Sequence, residues 1–151
     1  MSPKPATAPP EDATRTQRYL LVRAGEHVCA LPLASVRRVV AALAVTPLPG
    51  SADELKGLAE FAGEPLPVLD LARLIGAPPG ATPDYPVTIV AWAGPDADRE
   101  LVGLAADAAL EVVEVPVRSI VGGTGGVIAG EVSLRGEPVR AVDLKALGGP
   151  A

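Results

Sequence analysis

Most hydrophobic positions of this chain fall in short runs that end at turn residues. Residues 18–24 and 27–33 are two β-rich runs that meet at a Gly-Glu pair, a spacing that predicts a tight hairpin. The same pattern returns at residues 87–93 and 100–105, around a short polar loop. We therefore expect two antiparallel hairpins, one in each half of the chain.

Two later segments also favour strands. Residues 110–115 form a strand-like run that ends at Pro116, and residues 127–134 lead by a turn into another extended run. Between them, the glycines from Gly122 to Gly126 contain no lysine followed by serine or threonine. A phosphate-binding loop is therefore not expected there, and we interpret the glycine run as a linker.

One segment has a helical period instead. Its apolar residues are spaced by three, one and three, which places them on one face of a helix: Val36, Val39, Val40 and Leu43. Arg37 and Arg38 would lie on the other face. This pattern predicts a short amphipathic helix, and residues 53–58 are expected to form another helical turn.

A stretch of nine residues occurs twice, as GEPLPVLDL at 63–71 and GEPVRAVDL at 136–144, 73 residues apart. Each copy predicts a turn, a strand opened by proline, and an Asp-Leu pair that begins a short helical turn. Asp70 and Asp143 would accept hydrogen bonds from the free amides of that turn, worth about 1 kcal/mol. Two copies predict two related lobes, because a solenoid needs roughly three or more stacked repeats.

Clusters of proline and glycine predict the domain organisation. Residues 1–17 have the composition of a disordered tail, and residues 76–86 that of a crossover linker. We expect one domain over residues 18–147, with lobe 1 at about 18–75 and lobe 2 at about 87–147, followed by a short tail at 148–151. Many short strands with brief helices favour a mostly β fold of two small barrels, although periodicity alone does not distinguish a barrel from a sandwich.

Composition narrows the classes of partner. With 151 residues, 48% of them hydrophobic, the chain can build a real core. A net charge of −5 argues against nucleic acid or an anionic membrane surface as the main partner. We expect no membrane insertion, because no apolar run approaches ~18 residues. A single cysteine and the absence of an apolar signal core predict a cytoplasmic protein.

Candidate catalytic chemistry is sparse. His27 and Cys29 are two apart on one predicted strand, so they face the same way, as a nucleophile and its base or two metal ligands would. The sequence has no second histidine or cysteine to complete a metal site, so we expect no metal or cofactor and interpret Cys29 as a small core residue. Asp70 and Asp143 follow matching strands, which favours two equivalent caps over a carboxylate pair. A small hydrolase that uses His27, Cys29 and Asp70 remains a remote alternative.

The segment from Gly57 to Leu71, GLAEFAGEPLPVLDL, resembles the signature of the CheW-like domain, the coupling module of bacterial chemosensory arrays. In that family a glycine, a short apolar segment, an Asn-Leu-Arg-Gly motif and a strand ending in Pro-Val-Val-Asp-Leu follow one another, and the match is good from Gly63 onward. The resemblance extends over residues 18–147. Supporting matches are Tyr19 to Val22 with Gly25, Ala30-Leu31-Pro32-Leu33, Val36 to Val39, Thr46-Pro47-Leu48-Pro49-Gly50, Leu101 to Asp107 and Val139 to Leu147.

The resemblance implies two five-stranded SH3-like barrels and a role that is not enzymatic. It also implies a scaffold that bridges the cytoplasmic tips of chemoreceptors, which are methyl-accepting proteins, and a CheA-type histidine kinase, with other CheW-like proteins as further partners. A groove between the lobes would accept the receptor's helical hairpin. Residues expected to have structural roles are Gly57, Gly63, Asp70, Gly136 and Asp143.

Departures from the family pattern point to the contact surface. Glu60 and Ala62 stand where relatives usually have Asn and Arg, and Val36-Arg37-Arg38-Val39 stands where they often have Val-x-Glu-Val. Losing an arginine from a contact surface commonly weakens binding, so we expect kinase coupling to be weakened or lost. The shortened stretch between Ile120 and Gly130 favours the same conclusion.

These departures define the expected partner-binding residues and an alternative function. The expected set is Val36, Arg38, Glu60, Phe61 and Ala62, with Phe61, the only phenylalanine, as an anchor. Burial of Phe61 and Val36 in the core is the competing interpretation. The alternative function is an adaptor that binds receptors or other CheW-like proteins without coupling to a kinase.

Overall fold

The computed structural model describes residues 15–76, 85–123 and 126–147, most of which lie in ten strands. The strands are β1 Thr16–Ala24, β2 His27–Pro32, β3 Val36–Ala41, β4 Leu55–Phe61, β5 Glu64–Asp70, β6 Val87–Ala93, β7 Glu100–Ala106, β8 Ala108–Pro116, β9 Ile128–Leu134 and β10 Glu137–Val142. A one-turn helix, α1, covers Leu71–Leu74. Four 3₁₀ turns occur at Leu33–Ser35, Asp96–Asp98, Val117–Ser119 and Leu144–Ala146.

The strands form two five-stranded sheets, so the fold is mostly β with SH3-like lobes, as predicted. One sheet has the order β3-β6-β7-β5-β4 and is called the middle lobe, because its strands span residues 36–106. The other has the order β8-β1-β2-β10-β9 and is called the terminal lobe, because its strands come from both ends of the domain. Each sheet contains one parallel pair, β5 with β7 and β10 with β2.

The predicted division into consecutive lobes does not match the sheets. Strands β1 and β2 were expected to belong with the first repeat, but they pair with β8 and β10, which follow the predicted linker. Residue Val28 faces Val139 in the parallel pair, so the first hairpin completes the lobe that contains the second repeat. Most of the predicted linker, residues 77–84, most of the predicted N-terminal tail, residues 1–14, and the tail at 148–151 lie outside the described residues. Strand β1 begins at Thr16, two residues inside the expected tail.

The predicted helix after the first hairpin is wrong. Residues 36–41 are strand β3, which pairs antiparallel with β6 so that Val39 faces Ile89 and Val40 faces Thr88. β-branched valines suit a strand, and cross-strand pairing decides the conformation where the period is ambiguous. The expected helical turn at 53–58 is wrong for the same reason, because β4 pairs with β5 from Leu55 to Phe61. The two predicted hairpins, β1 with β2 and β6 with β7, are confirmed.

Strand β1 shows why the first hairpin is apolar on both faces. Leu20 and Val22 enter a core shared by the two sheets, where Ile89 of β6 is also buried. Tyr19 and Leu21 point into the interior of the terminal lobe. Successive residues of a strand face opposite sides, so β1 contributes to two cores at once. The middle lobe has its own interior as well, formed by Ala59, Leu66, Val68, Tyr85, Val90 and Ala105.

The repeat is visible in the backbone of the two lobes. The turns at Ala62-Gly63 and Arg135-Gly136 have φ values of 53° and 81° in one lobe and 52° and 80° in the other. Two consecutive positive φ angles are typical of a type I′ hairpin turn, which explains the glycine in each copy. The amide after each repeated strand donates equivalently, from Asp70 to the carbonyl of Glu54 and from Asp143 to that of Val127.

Candidate partner-binding surface

Closure of the middle lobe brings two of the expected partner-binding residues together. Arg38 lies on β3 and Phe61 at the end of β4, at opposite edges of the sheet. The guanidinium carbon of Arg38 lies 6.0 Å from the centre of the Phe61 ring. The chain after β3 also pairs with β4, since Thr46 and Leu58 exchange backbone hydrogen bonds of 2.8 and 2.9 Å. The curled sheet therefore builds one continuous surface from its two edges.

Phe61 is half-buried and serves both of the roles considered for it. Part of the side chain packs against the interior of the middle lobe, beside Ala59 and Leu66. The guanidinium of Arg38 lies over the ring, at a distance suited to a weak cation–π contact. Arg38 is exposed and forms no ion pair with the residues that the structure describes. Its positive charge is therefore available at the surface.

The hairpin turn beside Phe61 carries the other two departures from the family pattern. Glu60 is exposed and faces Pro65 across the hairpin, while Phe61 faces Glu64. Ala62 is also exposed, at the first position of the turn, and presents only a methyl group. The turn therefore offers a carboxylate next to Phe61, and the guanidinium of Arg38 lies over the ring of Phe61.

Val36 lies apart from this surface. It is half-buried, faces Ala91 of β6, and packs against the core shared by the two sheets, whereas Phe61 packs against the interior of the middle lobe. The pairing of β3 with β6 shifts register between Val36 and Arg38, so the two residues pair with the consecutive residues Ala91 and Val90 of β6, which face opposite sides of the sheet. Of the five expected residues, the structure thus groups Arg38, Glu60, Phe61 and Ala62 and places Val36 elsewhere.

A groove next to Phe61 was not anticipated from the sequence. It has a volume of about 480 Å³ and is lined by Leu58, Phe61, Glu64, Pro65, Leu66, Pro67, Trp92, Glu100 and Leu101. We call it the Phe61 groove. Trp92, the only tryptophan, is half-buried in β6, and Arg99 lies 4.6 Å from its ring centre. A lone tryptophan in a predicted hairpin was the available signal, because this residue type is enriched in interfaces.

The predicted caps are present in both lobes. Asp70 Oδ1 accepts a hydrogen bond of 3.3 Å from the amide of Arg73, and Oδ2 accepts one of 3.3 Å from the hydroxyl of Tyr85. Asp143 Oδ1 accepts a bond of 3.0 Å from the amide of Lys145. Asp70 is buried and Asp143 is half-buried, so we expect the cap at Asp70 to contribute more to stability.

Gly57 and Gly130, 73 residues apart, are structural for a steric reason. At Gly57 the φ angle is +147°, and a Cβ atom would collide with the carbonyl of Thr46 and lie 2.9 Å from Pro47 Cα. At Gly130 the φ angle is +158°, and a Cβ atom would lie 2.8 Å from the carbonyl oxygen of Val121. Each glycine lets a neighbouring segment pair closely with the lobe's edge strand.

Sequence and structure comparisons assign the family. The family model described as the CheW-like domain matches residues 18–149. The chain belongs to the CheW-like domain family. A similar solved structure is the scaffolding protein TtCheW from Thermoanaerobacter tengcongensis, with a TM-score of 0.68 and 19% identity over 86% of this chain and 90% of that one. No curated protein of matching sequence was found.

Cys29 and Asp70, two residues considered for catalysis, occupy structural positions. Cys29 is fully buried in the core shared by the sheets, and burial raises the pKa of its thiol to about 12. Asp70 is engaged as a cap, through its bonds from the amide of Arg73 and the hydroxyl of Tyr85. Among the described residues, no cluster of three or more His, Cys, Asp or Glu side chains is placed to hold a metal ion. Within that same part of the chain, no helix is long and apolar enough to cross a membrane.

Proposed function

We propose that this CheW-like protein is a non-enzymatic scaffold of a bacterial chemosensory pathway that bridges the cytoplasmic tip of a chemoreceptor and a CheA-type histidine kinase. The family assignment and the likeness to a scaffolding protein support a binding role. The observation that carries the proposal is the exposed cation of Arg38 over the half-buried ring of Phe61, beside an apolar groove. This combination resembles the anchors of protein interfaces, where aromatic residues and arginine supply most of the binding energy.

The chemistry of the Phe61 groove defines what a partner must present. An apolar side chain would enter between Pro65, Trp92 and Leu101, and a carboxylate beside it would pair with Arg38. Glu60 beside Phe61, with Glu64 and Glu100 of the groove lining, would repel a second acidic group and so restrict the orientation of the partner. We therefore expect a partner segment with one apolar anchor and one neighbouring acidic residue.

Arg38 also bears on the arginine that the family signature usually has at the position of Ala62. The guanidinium of Arg38 reaches the ring of Phe61, the residue immediately before Ala62. A positive charge is thus restored to the same face from a different strand. On this basis, and in contrast to the weakened kinase coupling expected from the sequence, we expect partner contacts to be retained with adjusted charges, in an array whose own receptor and kinase carry the matching changes.

The second candidate is an adaptor that binds receptors or other CheW-like proteins but does not couple to a kinase. The observation that favours it is Glu60, an exposed carboxylate where the family signature usually has a neutral asparagine. A partner surface that already carries acidic residues would be repelled there. The two candidates share the fold and differ in one interface.

The deciding experiment measures binding of the full chain to two separate partners at one salt concentration. One partner is the cytoplasmic hairpin of the receptor encoded with it, and the other is the regulatory domain of the associated histidine kinase. Binding to both supports the bridging scaffold, and binding to the receptor alone supports the uncoupled adaptor. Binding to neither would refute the bridging scaffold and the receptor-binding form of the adaptor.

A further inference from the structure

The middle lobe contains a second cavity, separate from the Phe61 groove. It has a volume of about 530 Å³ and lies between residues 42–47, which follow β3, and the sheet. Its apolar lining includes Leu43, Val45, Pro47 and Val68. Its polar lining consists of Lys56, Tyr85 and Thr88. The volume is within the range of small-molecule sites, roughly 300–1,000 Å³. Apolar walls with a few polar groups are also typical of such sites.

Thr88 supplies the first sign that a ligand is accommodated. The residue is only 3% exposed, yet its hydroxyl has no hydrogen-bond partner among residues 15–76, 85–123 and 126–147. No fully enclosed side-chain nitrogen or oxygen atom lacks a hydrogen-bond partner in this part of the chain, so the Thr88 hydroxyl keeps some contact with solvent, and the residue lines the cavity. A ligand oxygen or nitrogen in the cavity would be a direct hydrogen-bond partner for this hydroxyl in place of solvent.

Lys56 supplies the second sign. Its ammonium group lies 5.4 Å from the ring centre of Tyr85, whose hydroxyl donates to Asp70. Lys56 is half-buried and forms no ion pair with the residues that the structure describes. The described lining contains this one cation and no carboxylate. A half-buried ammonium group at the wall of an apolar cavity favours an anion of single charge.

We propose that this cavity binds a small organic monoanion with an apolar body, such as an aromatic or aliphatic carboxylate. The carboxylate pairs with Lys56, the apolar body packs on Leu43, Val45 and Val68, and the hydroxyl of Thr88 bonds to the ligand at the cavity floor. A free phosphate or a pyrophosphate is a poor fit, because one lysine and apolar walls do not neutralise several charges. This inference concerns a site outside the Phe61 groove and does not rest on the proposed scaffold function.

The test compares charged probes with neutral ones of the same shape. The ¹⁵N-labelled full chain is titrated with benzoate and hexanoate, and separately with benzamide and hexanamide, and amide shifts are followed by NMR. We expect saturable shifts for at least one carboxylate, confined to residues 42–47 and to Lys56, Val68, Thr88 and Ala105, and affinity about tenfold lower for the matching amide. No saturable shift with either acid, shifts elsewhere, or equal affinity for acid and amide would overturn the proposal.

Two variants locate the binding determinants. Lys56→Met should reduce carboxylate affinity to that of the amide, whereas Lys145→Met, at an exposed lysine paired with Asp96 away from the cavity, should leave it unchanged. Thr88→Val keeps the shape of the side chain and should weaken the carboxylate severalfold while the spectrum stays dispersed. If Lys56→Met binds the acid as well as the wild type does, the assigned charge pair is wrong. Should a variant fail to fold, the comparison of acid and amide on the wild-type chain still decides.

Discussion

The guanidinium carbon of Arg38 lies 6.0 Å from the centre of the Phe61 ring, and the equivalent contact in the other lobe has different chemistry. Glu111, 73 residues after Arg38, forms two hydrogen bonds of 2.6 and 3.1 Å with Arg135 in the repeated turn. That pair holds the pKa of Glu111 below its ordinary value. An edge strand thus meets the repeated hairpin in both lobes. In the terminal lobe the charge of Arg135 is paired with Glu111. In the middle lobe Arg38 forms no ion pair with the described residues, so its charge is available.

Reversing the charge of Arg38 should change binding and leave folding almost intact. Because Arg38 is exposed and its contact with Phe61 is a weak cation–π interaction, Arg38→Glu should change the free energy of unfolding by less than about 1 kcal/mol. Affinity for an acidic partner segment should fall by roughly tenfold or more, because attraction becomes repulsion. Binding assays at two salt concentrations and urea denaturation measure the two effects.

Arg118→Glu is the matched control for that experiment. Arg118 is exposed in the 3₁₀ turn after β8, in a different lobe, and the substitution makes the same change in net charge. It should leave partner affinity within about twofold, since long-range effects of exposed charges are screened by salt. Equal losses for Arg118→Glu and Arg38→Glu would show that overall charge, and not the Phe61 surface, determines binding.

The two capping aspartates should differ in their contribution to stability. Asp70→Ala removes a buried acceptor that serves both the amide of Arg73 and the hydroxyl of Tyr85, so we expect a loss of about 2–3 kcal/mol. Asp143→Ala removes one bond at a half-buried site and should cost about 1 kcal/mol. Urea denaturation of both variants gives the comparison. The control is Asp53→Ala, at an exposed aspartate outside the two capped turns. Equal losses of stability for Asp70→Ala and Asp143→Ala would contradict the argument.

Local signals predicted the parts of the fold that depend on neighbouring residues. The turn at Gly63, the strand that follows it and the cap at Asp70 were all readable, because turn chemistry and period-2 alternation act over a few residues. Strand β3 could not be predicted from such local signals. The spacing of Val36, Val39 and Val40 also fits a helix, and pairing with residues of β6 that lie 48 to 55 positions later decides the conformation.

The candidate surface was predictable only in part for the same reason. Arg38 and Phe61 were each selected as departures or rare residues, but their contact depends on closure of the middle lobe. Trp92 joins them from β6, and no local pattern indicates that its position borders Phe61. Similarly, the composition of each lobe follows from the parallel pairs, such as Val28 with Val139, which link distant segments.

Gly57 should tolerate substitution much less well than Gly50, although both have positive φ angles. Gly57→Ala places a methyl group against the carbonyl of Thr46 at φ +147°, and we expect a loss of about 3 kcal/mol or more. At Gly50, φ is +82° and no atom lies within 4 Å of the added Cβ, so Gly50→Ala should cost about 1 kcal/mol. Thermal or urea denaturation measures both, and similar losses would show that steric contact with Thr46 is unimportant.

Burial of Cys29 predicts how stability changes at high pH. Burial raises the pKa of this thiol from 9.0 to about 12, so between those values the unfolded chain releases a proton that the folded chain keeps. The stabilisation is therefore fully present below pH 9 and is lost as pH rises towards 12, with a slope of at most about 1.4 kcal/mol per pH unit.

Cys29→Ala isolates that contribution, because alanine has no proton to release. The variant should be less stable at pH 7, by about 1 kcal/mol, since it leaves a small cavity in the core shared by the sheets. Its unfolding free energy should then decline less steeply than that of the wild type above pH 9. Urea denaturation from pH 7 to 10.5 measures the two curves. Parallel curves above pH 9 would mean that the thiol titrates alike in the folded and unfolded chains.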